Sequence, residues 1–115
     1  MVSLATGSVV LVAFPFSDLS ASKLRPAIVL ASAERGDWIL CQVTSNPYAD
    51  QNAVQISEAD FESGSLRRTS FARPGKLFTA NTSLMKSEVG RLSPVAFQNV
   101  LNAVMTIFGP SGINV

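Results

Sequence analysis

Residues 7–30, GSVVLVAFPFSDLSASKLRPAIVL, constrain this chain more than any other stretch. Two apolar runs, Val9–Phe16 and Ala27–Leu30, flank a polar connection that ends in Arg25-Pro26. Each run is short, β-branched and bounded by Gly, Ser or Pro, the pattern of a buried strand rather than a helix. Pro26 has no N–H for a ladder, which predicts a place at the first position of the second strand or on an edge. It also pushes the backbone of Arg25 toward the extended region. A guanidinium held at a strand mouth beside a rigid sheet is well placed to bind an anion.

The remaining chain reads as more short strands and one helix. Met1–Thr6 is a lead-in, Gly7–Phe16 the first strand, and Ser17–Leu24 a polar, exposed loop. Ala27–Ser32 and Trp38–Thr44 make a hairpin around Glu34-Arg35-Gly36-Asp37, which carries turn chemistry. Ala53–Ile56 is a short strand, followed by an acidic turn, Ser57–Gly64, in which Ser57-Glu58-Ala59-Asp60 opens a helical turn that tucks Phe61 inward. Leu66–Ala72 and Lys76–Thr79 are extended pieces interrupted by Pro74-Gly75; Asn81–Lys86 is a turn or a short helix, and Val89–Leu92 another short strand. Ser93-Pro94 then gives a helix cap and first turn. Phe97, Val100, Leu101, Val104 and Phe108 keep helical spacing, so 94–108 is an amphipathic helix that Gly109-Pro110 stops. That helix has no charged residue, which predicts that it is largely covered. Many close strands and one terminal helix predict a mainly β fold, a small bent antiparallel barrel in one domain, residues 1–115.

Composition narrows the function. The chain has no histidine, which removes the usual general base, the usual zinc ligand and every Ser-His or Cys-His pair. Its single cysteine, Cys41, lies in an apolar strand and reads as a buried, inert thiol. No metal site and no cofactor motif is present. No apolar run reaches the ~18 residues of a membrane span, and no secretory pattern opens the chain, so a cytoplasmic protein is expected. With 47% hydrophobic and only 15% charged residues, the apolar content exceeds what a monomer needs, which points to a partner. The formal charge of +1 hides an asymmetry: residues 1–63 carry a net −4, residues 64–115 a net +5. The basic half, with Lys23 and Arg25, would meet a phosphate backbone.

Three stretches in order, GSVVLVAFPFSDLSASKLRPAIVL, CQVTSNP and KLFTANTSLMKSEVGRLSP, resemble the PemK/MazF family of toxin endoribonucleases. The likeness spans nearly the whole chain. It implies an SH3-like barrel with a C-terminal helix, working as a homodimer. It also implies a metal-independent, sequence-selective cleavage of single-stranded RNA and a cognate antitoxin protein as partner. DNA would be met only indirectly, through the antitoxin complex. The competing readings are a non-enzymatic poison of a protein target, as in the related gyrase-poison fold, and a barrel that binds nucleic acid without cutting it.

RNA carries its own nucleophile, the 2′-OH, so cleavage to a 2′,3′-cyclic phosphate and a 5′-OH needs no covalent residue. It needs a proton acceptor, stabilisation of the five-coordinate phosphorane, and a proton for the leaving 5′ oxygen. Arg25 matches the family's catalytic arginine. A free guanidinium, with a pKa above ~12, is a poor base, so electrostatic stabilisation is its expected role. Thr44 and Ser45 match the family's hydroxyl position at a strand end, with Thr44 the primary candidate; Asn46 would hold the turn or read a base edge. Arg73 lies where several members carry a second arginine. The acid that follows two residues later in some of them is Gly75 here, which leaves the base unassigned; Asp18 is the substitute. Lys23, Lys76 and Arg91 are candidate phosphate contacts. Phe14 and Phe16 read as core or rim.

Overall fold

The computed structural model describes residues 4–15 and 22–109, with backbone only at 14, 15, 22 and 23. In chain order the strands are β1 (Ser8–Pro15), β2 (Ser22–Ser32), β3 (Asp37–Thr44), β4 (Val54–Ile56), β5 (Phe61–Gly64), β6 (Ser70–Asn81) and β7 (Met85–Leu92). One helix, α1 (Pro94–Phe108), follows. All pairings are antiparallel, in the order β4-β6-β3-β2-β1-β7-β5.

The sheet is a half-barrel, because residues from both of its edges reach one core. Ile56 on β4 packs into the same cluster as Val9, Ile28, Cys41, Val43 and Leu92, and Phe61 on β5 packs against it. Helix α1 lies across the opening and contributes Ala96, Val100 and Val104. On the opposite face a second cluster gathers Val10, Val12, Ala27, Val29, Leu40 and Met85, with Trp38 and Phe78 against it. Central strands buried on both faces explain why β1 and β2 read as continuous apolar runs rather than alternating ones. Truncating Ile28 or Val100, both fully buried, removes packing worth roughly 2–5 kcal/mol for an isoleucine and somewhat less for a valine.

Local chemistry sets the corners. Arg35 and Gly36, the central residues of the 34–37 turn between β2 and β3, both have positive φ, as a primed turn requires. Ser93 Oγ accepts from Ala96 N–H (3.2 Å) and Pro94 opens the helix. At the β5 edge, Gly64 and Gly90 face each other. A Cβ on Gly64 would stand 2.2 Å from Val89 O, and one on Gly90 2.7 Å from the Phe61 ring. Only two glycines let these strands meet.

Several expectations need correction. Pro26 is not the first residue of its strand: β2 begins at Ser22, and Pro26 pairs with Leu11 in the ladder to β1. The ladder to β3 starts only at Ala27↔Gln42. Pro26 therefore sits where β2 has one neighbour, the edge alternative expected of it, and a missing donor is harmless there. The acidic stretch 57–64 is not all turn. The helical turn expected at Ser57–Asp60 is there, a short 3₁₀ helix in which Asp60 Oδ2 accepts from Ser57 N–H (2.8 Å), but Phe61–Gly64 then forms edge strand β5. Pro74-Gly75 does not split β6. The register runs Cys41↔Leu77 and then Val43↔Ala72, so residues 73–76 bulge opposite Gln42 alone. A bulge absorbs a proline that a regular ladder would reject. The helix is not largely covered either: Val95, Met105 and Phe108 are 72%, 58% and 65% exposed. Among the described residues no helix is long and apolar enough to cross a membrane.

Candidate active site

β2 and β3 bring two of the predicted segments to one end of the sheet. Leu24-Arg25-Pro26 precedes the point where β2 joins β3, and Val43-Thr44-Ser45 is where β3 ends. β6 starts beside them, with Thr44 opposite Phe71, so the segment that leads into it closes the third side. Leu24, Arg25, Pro26, Val43, Thr44, Ser45, Leu66, Arg68 and Ser70 line an open hollow of about 240 Å³. Two guanidiniums and three hydroxyls share it with apolar walls, and none of these nine residues is acidic. The volume lies below the roughly 300–1,000 Å³ of pockets that engulf a small molecule. It suits one unit of an extended polymer.

The hydroxyls differ in what they can still do. Thr44 is buried; its Oγ1 donates to Asn46 O (3.0 Å) and accepts from Asn46 N–H (3.1 Å). Its only proton is engaged in the turn, leaving one acceptor lone pair. Ser70 is buried and donates to Arg68 O (3.3 Å). Ser45 is exposed at the rim. Of the three, Ser45 is the hydroxyl presented to solvent.

After Thr44 the chain makes a turn held by its own side chains. Asn46 Oδ1 accepts from Tyr48 N–H (2.9 Å), and Asp50 Oδ1 accepts from Asn52 N–H (2.9 Å). Tyr48 and Ala49 both sit at positive φ (54° and 60°), a conformation that costs roughly 1–2 kcal/mol for each non-glycine residue. Contacts to β6 offset this. Arg73 Nε donates to Asp50 Oδ2 at 3.0 Å, with the two side chains only 19% and 13% exposed. The Arg73 guanidinium also lies over the Tyr48 ring, 5.6 Å from its centre. Asp50 titrates below the usual carboxylate range, first because it accepts the Asn52 N–H, then because of the Arg73 hydrogen bond, with Lys76 adding a weaker attraction.

The other predicted residues fall as follows. Lys76 is exposed and, with Gln42, Leu77 and Phe78, lines a second, shallower hollow of about 200 Å³. Gln42 and Thr44 are two residues apart on β3, so the hollows adjoin along one strand. Arg91 does not line either hollow. Its Nη2 donates to Glu88 Oε2 at 3.0 Å, and buried Ser8 donates to the same carboxylate oxygen. Lys23 lies in β2, where only its backbone is described, and Asp18, Phe16 and the 16–21 connection lie outside the described residues. Arg68, Ser70 and Asp50 were not singled out from sequence. Arg67-Arg68 stood only as part of the basic half, and the sole cue to Asp50 is the Asp-x-Asn spacing of an Asx turn.

Cys41 is fully buried under the bulge, where its Sγ donates to Arg73 O (3.3 Å). Burial pushes the thiol pKa up to about 12, and Asp50 adds a smaller rise. Among the described residues no three His, Cys, Asp or Glu side chains cluster closely enough to hold a metal ion.

The fold is that of solved toxin structures. An endoribonuclease from a mycobacterial species, solved with its cognate antitoxin, matches with a TM-score of 0.73 at 12% identity over 92% of this chain and 95% of that one. MazF in a MazE–MazF crystal structure from Deinococcus radiodurans matches at 0.69 and 17% identity, over 90% and 93%. The Mycobacterium tuberculosis toxin MazF-mt6 matches at 0.68 and 12% identity, over 88% and 95%. No individually curated protein sequence matches. At these identities the structures speak to the fold alone. The family model for PemK-like, MazF-like toxins of type II toxin–antitoxin systems matches residues 5–108, nearly the whole chain, and this protein belongs to that family.

Proposed function

We propose that this toxin is a metal-independent endoribonuclease that cuts single-stranded RNA by attack of the 2′-OH on its own phosphate. The observation that carries this reading is the hollow in which Arg25, Ser45 and Arg68 converge without an acidic side chain among its described lining residues. Guanidinium donors suit the non-bridging oxygens of a phosphorane, whose charge grows in the transition state. Arg25, partly buried on a strand, is the rigid donor. Arg68, exposed on the rim, is a phosphate contact. Ser45 donates to a phosphate oxygen, and Thr44 keeps the turn that presents it. Asp18, in the connection just before Arg25, is the proposed proton acceptor. Asp18→Asn should then remove the acid limb of the pH–rate profile.

The chain is proposed to act as a homodimer. The support is the exposed apolar end of α1, Met105, Ile107 and Phe108, of which Ile107 lies beside Gly75 in the β6 bulge. Light scattering should return twice the chain mass at micromolar concentration; an active monomer would refute it. The proposed antitoxin lays an acidic segment over the same basic hollow, competes with RNA, and supplies any contact with DNA.

The decisive experiment incubates the protein with RNA in EDTA, beside an Arg25→Ala variant and an RNA carrying one 2′-deoxy substitution 5′ of the scissile phosphate. Cleavage should persist in EDTA and stop with the deoxy substrate. Tight binding without cleavage would instead make this a nucleic-acid-binding barrel, and neither binding nor cleavage would favour a protein target.

A further inference from the structure

Arg73 falls in the basic half of the chain, and its charge alone would make it an RNA contact. The structure gives that charge another use. Its Nε is held by Asp50 Oδ2 at 3.0 Å, and the pair is mostly sheltered from solvent. Its guanidinium carbon lies over the Tyr48 ring. Both partners belong to the turn that starts at Thr44. The turn is held by side chains, Thr44 Oγ1 to the backbone of Asn46, Asn46 Oδ1 to Tyr48 N–H and Asp50 Oδ1 to Asn52 N–H, and by two backbone bonds, Asp50 N–H to Pro47 O and Ala53 N–H to Asp50 O. These bonds fix the shape of the turn, and its two ends are set where Thr44 and Val54 pair with β6. Between those ends, the two contacts made by Arg73 join the middle of the turn to the sheet. Arg73 can make them because the four-residue bulge at 73–76 departs from the ladder opposite Gln42.

We infer that the Asp50–Arg73 pair is a strap between the β6 bulge and the 44–53 turn, and that it holds Ser45 and Thr44 in position at the hollow. Arg73 is thus a positioning residue and Asp50 its necessary partner. The consequence for cleavage rests on the ribonuclease reading above; the consequence for the turn does not.

Two roles for Arg73 predict opposite signs for one substitution. If Arg73 binds phosphate and Asp50 merely masks it, Asp50→Asn frees a cation and RNA binding tightens. Arg73→Gln then weakens binding and lowers the slope of log K against log salt by about one. If the pair is a strap, both substitutions act alike. Each lowers kcat by an expected ~10-fold or more, the usual sensitivity to a small misplacement of a catalytic group, while affinity for a non-cleavable 2′-deoxy RNA and its salt slope stay unchanged. The double variant is no worse than either single one, and Asp50→Glu restores part of kcat.

A second readout needs no substrate. Backbone amides of residues 46–53, followed by hydrogen exchange in the free protein, should exchange faster in Asp50→Asn and Arg73→Gln, with β1–β3 unaffected. Unchanged exchange in both variants would overturn the strap even if the protein cleaves RNA. Faster exchange with no cleavage by the wild-type protein would leave the strap standing and defeat the ribonuclease reading. Tighter RNA binding by Asp50→Asn would overturn the strap in favour of direct contact.

Discussion

Arg25 and Arg91 are both half-buried arginines on strands of one sheet, and their surroundings set them apart. Arg25 shares an open hollow with a second guanidinium and three hydroxyls, and no acid lies among the described lining residues. Arg91 gives its charge to Glu88, whose carboxylate also takes the hydroxyl of buried Ser8. The first arrangement concentrates positive potential where a polymer can reach it. The second neutralises charge and ties the start of β1 to β7. A count of cations treats the two alike; their described surroundings separate them, an open hollow shared with Arg68 for Arg25 and a fixed carboxylate for Arg91.

The comparison breaks most visibly at Arg25. Arg25→Ala should lower the cleavage rate on the order of 10²–10³, the usual loss for one transition-state donor, with little change in melting temperature. Arg25→Lys should not recover it, because an ammonium lacks the planar fork. Arg91→Ala should do the opposite: a near wild-type cleavage rate and a loss of about 1–2 kcal/mol in denaturant unfolding, because the shared carboxylate loses a charged hydrogen-bond partner. Equal rate losses at the two sites would erase the distinction.

Within the hollow, Arg68→Ala should weaken RNA binding several-fold and reduce the salt slope by about one, with kcat little changed. A kcat effect as large as that of Arg25→Ala would make Arg68 a second catalytic donor. Thr44→Ser keeps both hydrogen bonds to Asn46 and should be nearly silent, while Thr44→Val removes them and should speed amide exchange at Asn46.

Asp50 gives a pH signature. Its carboxyl titrates below the usual range in the folded chain, chiefly through the Asn52 N–H and Arg73. The stability this contributes is fully present above the unfolded carboxylate pKa of about 3.9. It is lost as pH falls through the lower folded value. Melting temperatures of the wild type and Asp50→Asn should therefore differ by a constant amount near neutrality and converge in acid below pH ~4. A difference that persisted there would mean the charge on Asp50 is not what matters. The smallest effect is expected at Cys41. With its thiol pKa pushed up to about 12 under the bulge, an alkylating reagent at pH 8 should leave both the folded protein and its cleavage rate untouched, and should label Cys41 only after unfolding.

Much of the architecture was legible because it rests on local rules. The hairpin at 34–37 follows from turn chemistry, and α1 starts and stops at the cap and glycine that mark it. Arg25, Thr44 and Ser45 were named together through the family resemblance, and the pairing of β2 with β3 is what brings them to one hollow. Arg68 and Ser70 were not. They reach the hollow because β6 pairs with the far side of β3, a contact between distant segments with no local mark. The helix misled for the reverse reason. Lack of charge predicts cover, yet the chain covers one face of the helix: Ala96, Val100 and Val104 are buried and Phe97 packs against the core, while Met105 and Phe108 are exposed.

By itself, the chain's order of residues determined strands, caps, turns and a missing histidine, because each depends on neighbours within a few positions. Only the tertiary structure decided which charges are neutralised and which are presented. Arg73 and Asp50 are 23 residues apart, and Ser8 and Glu88 are 80 apart. Whether an arginine meets a carboxylate over such separations depends on strand order and on the bulge at 73–76. Electrostatic availability falls off within a few ångströms of the nearest opposite charge, and distances of that size are set by the fold.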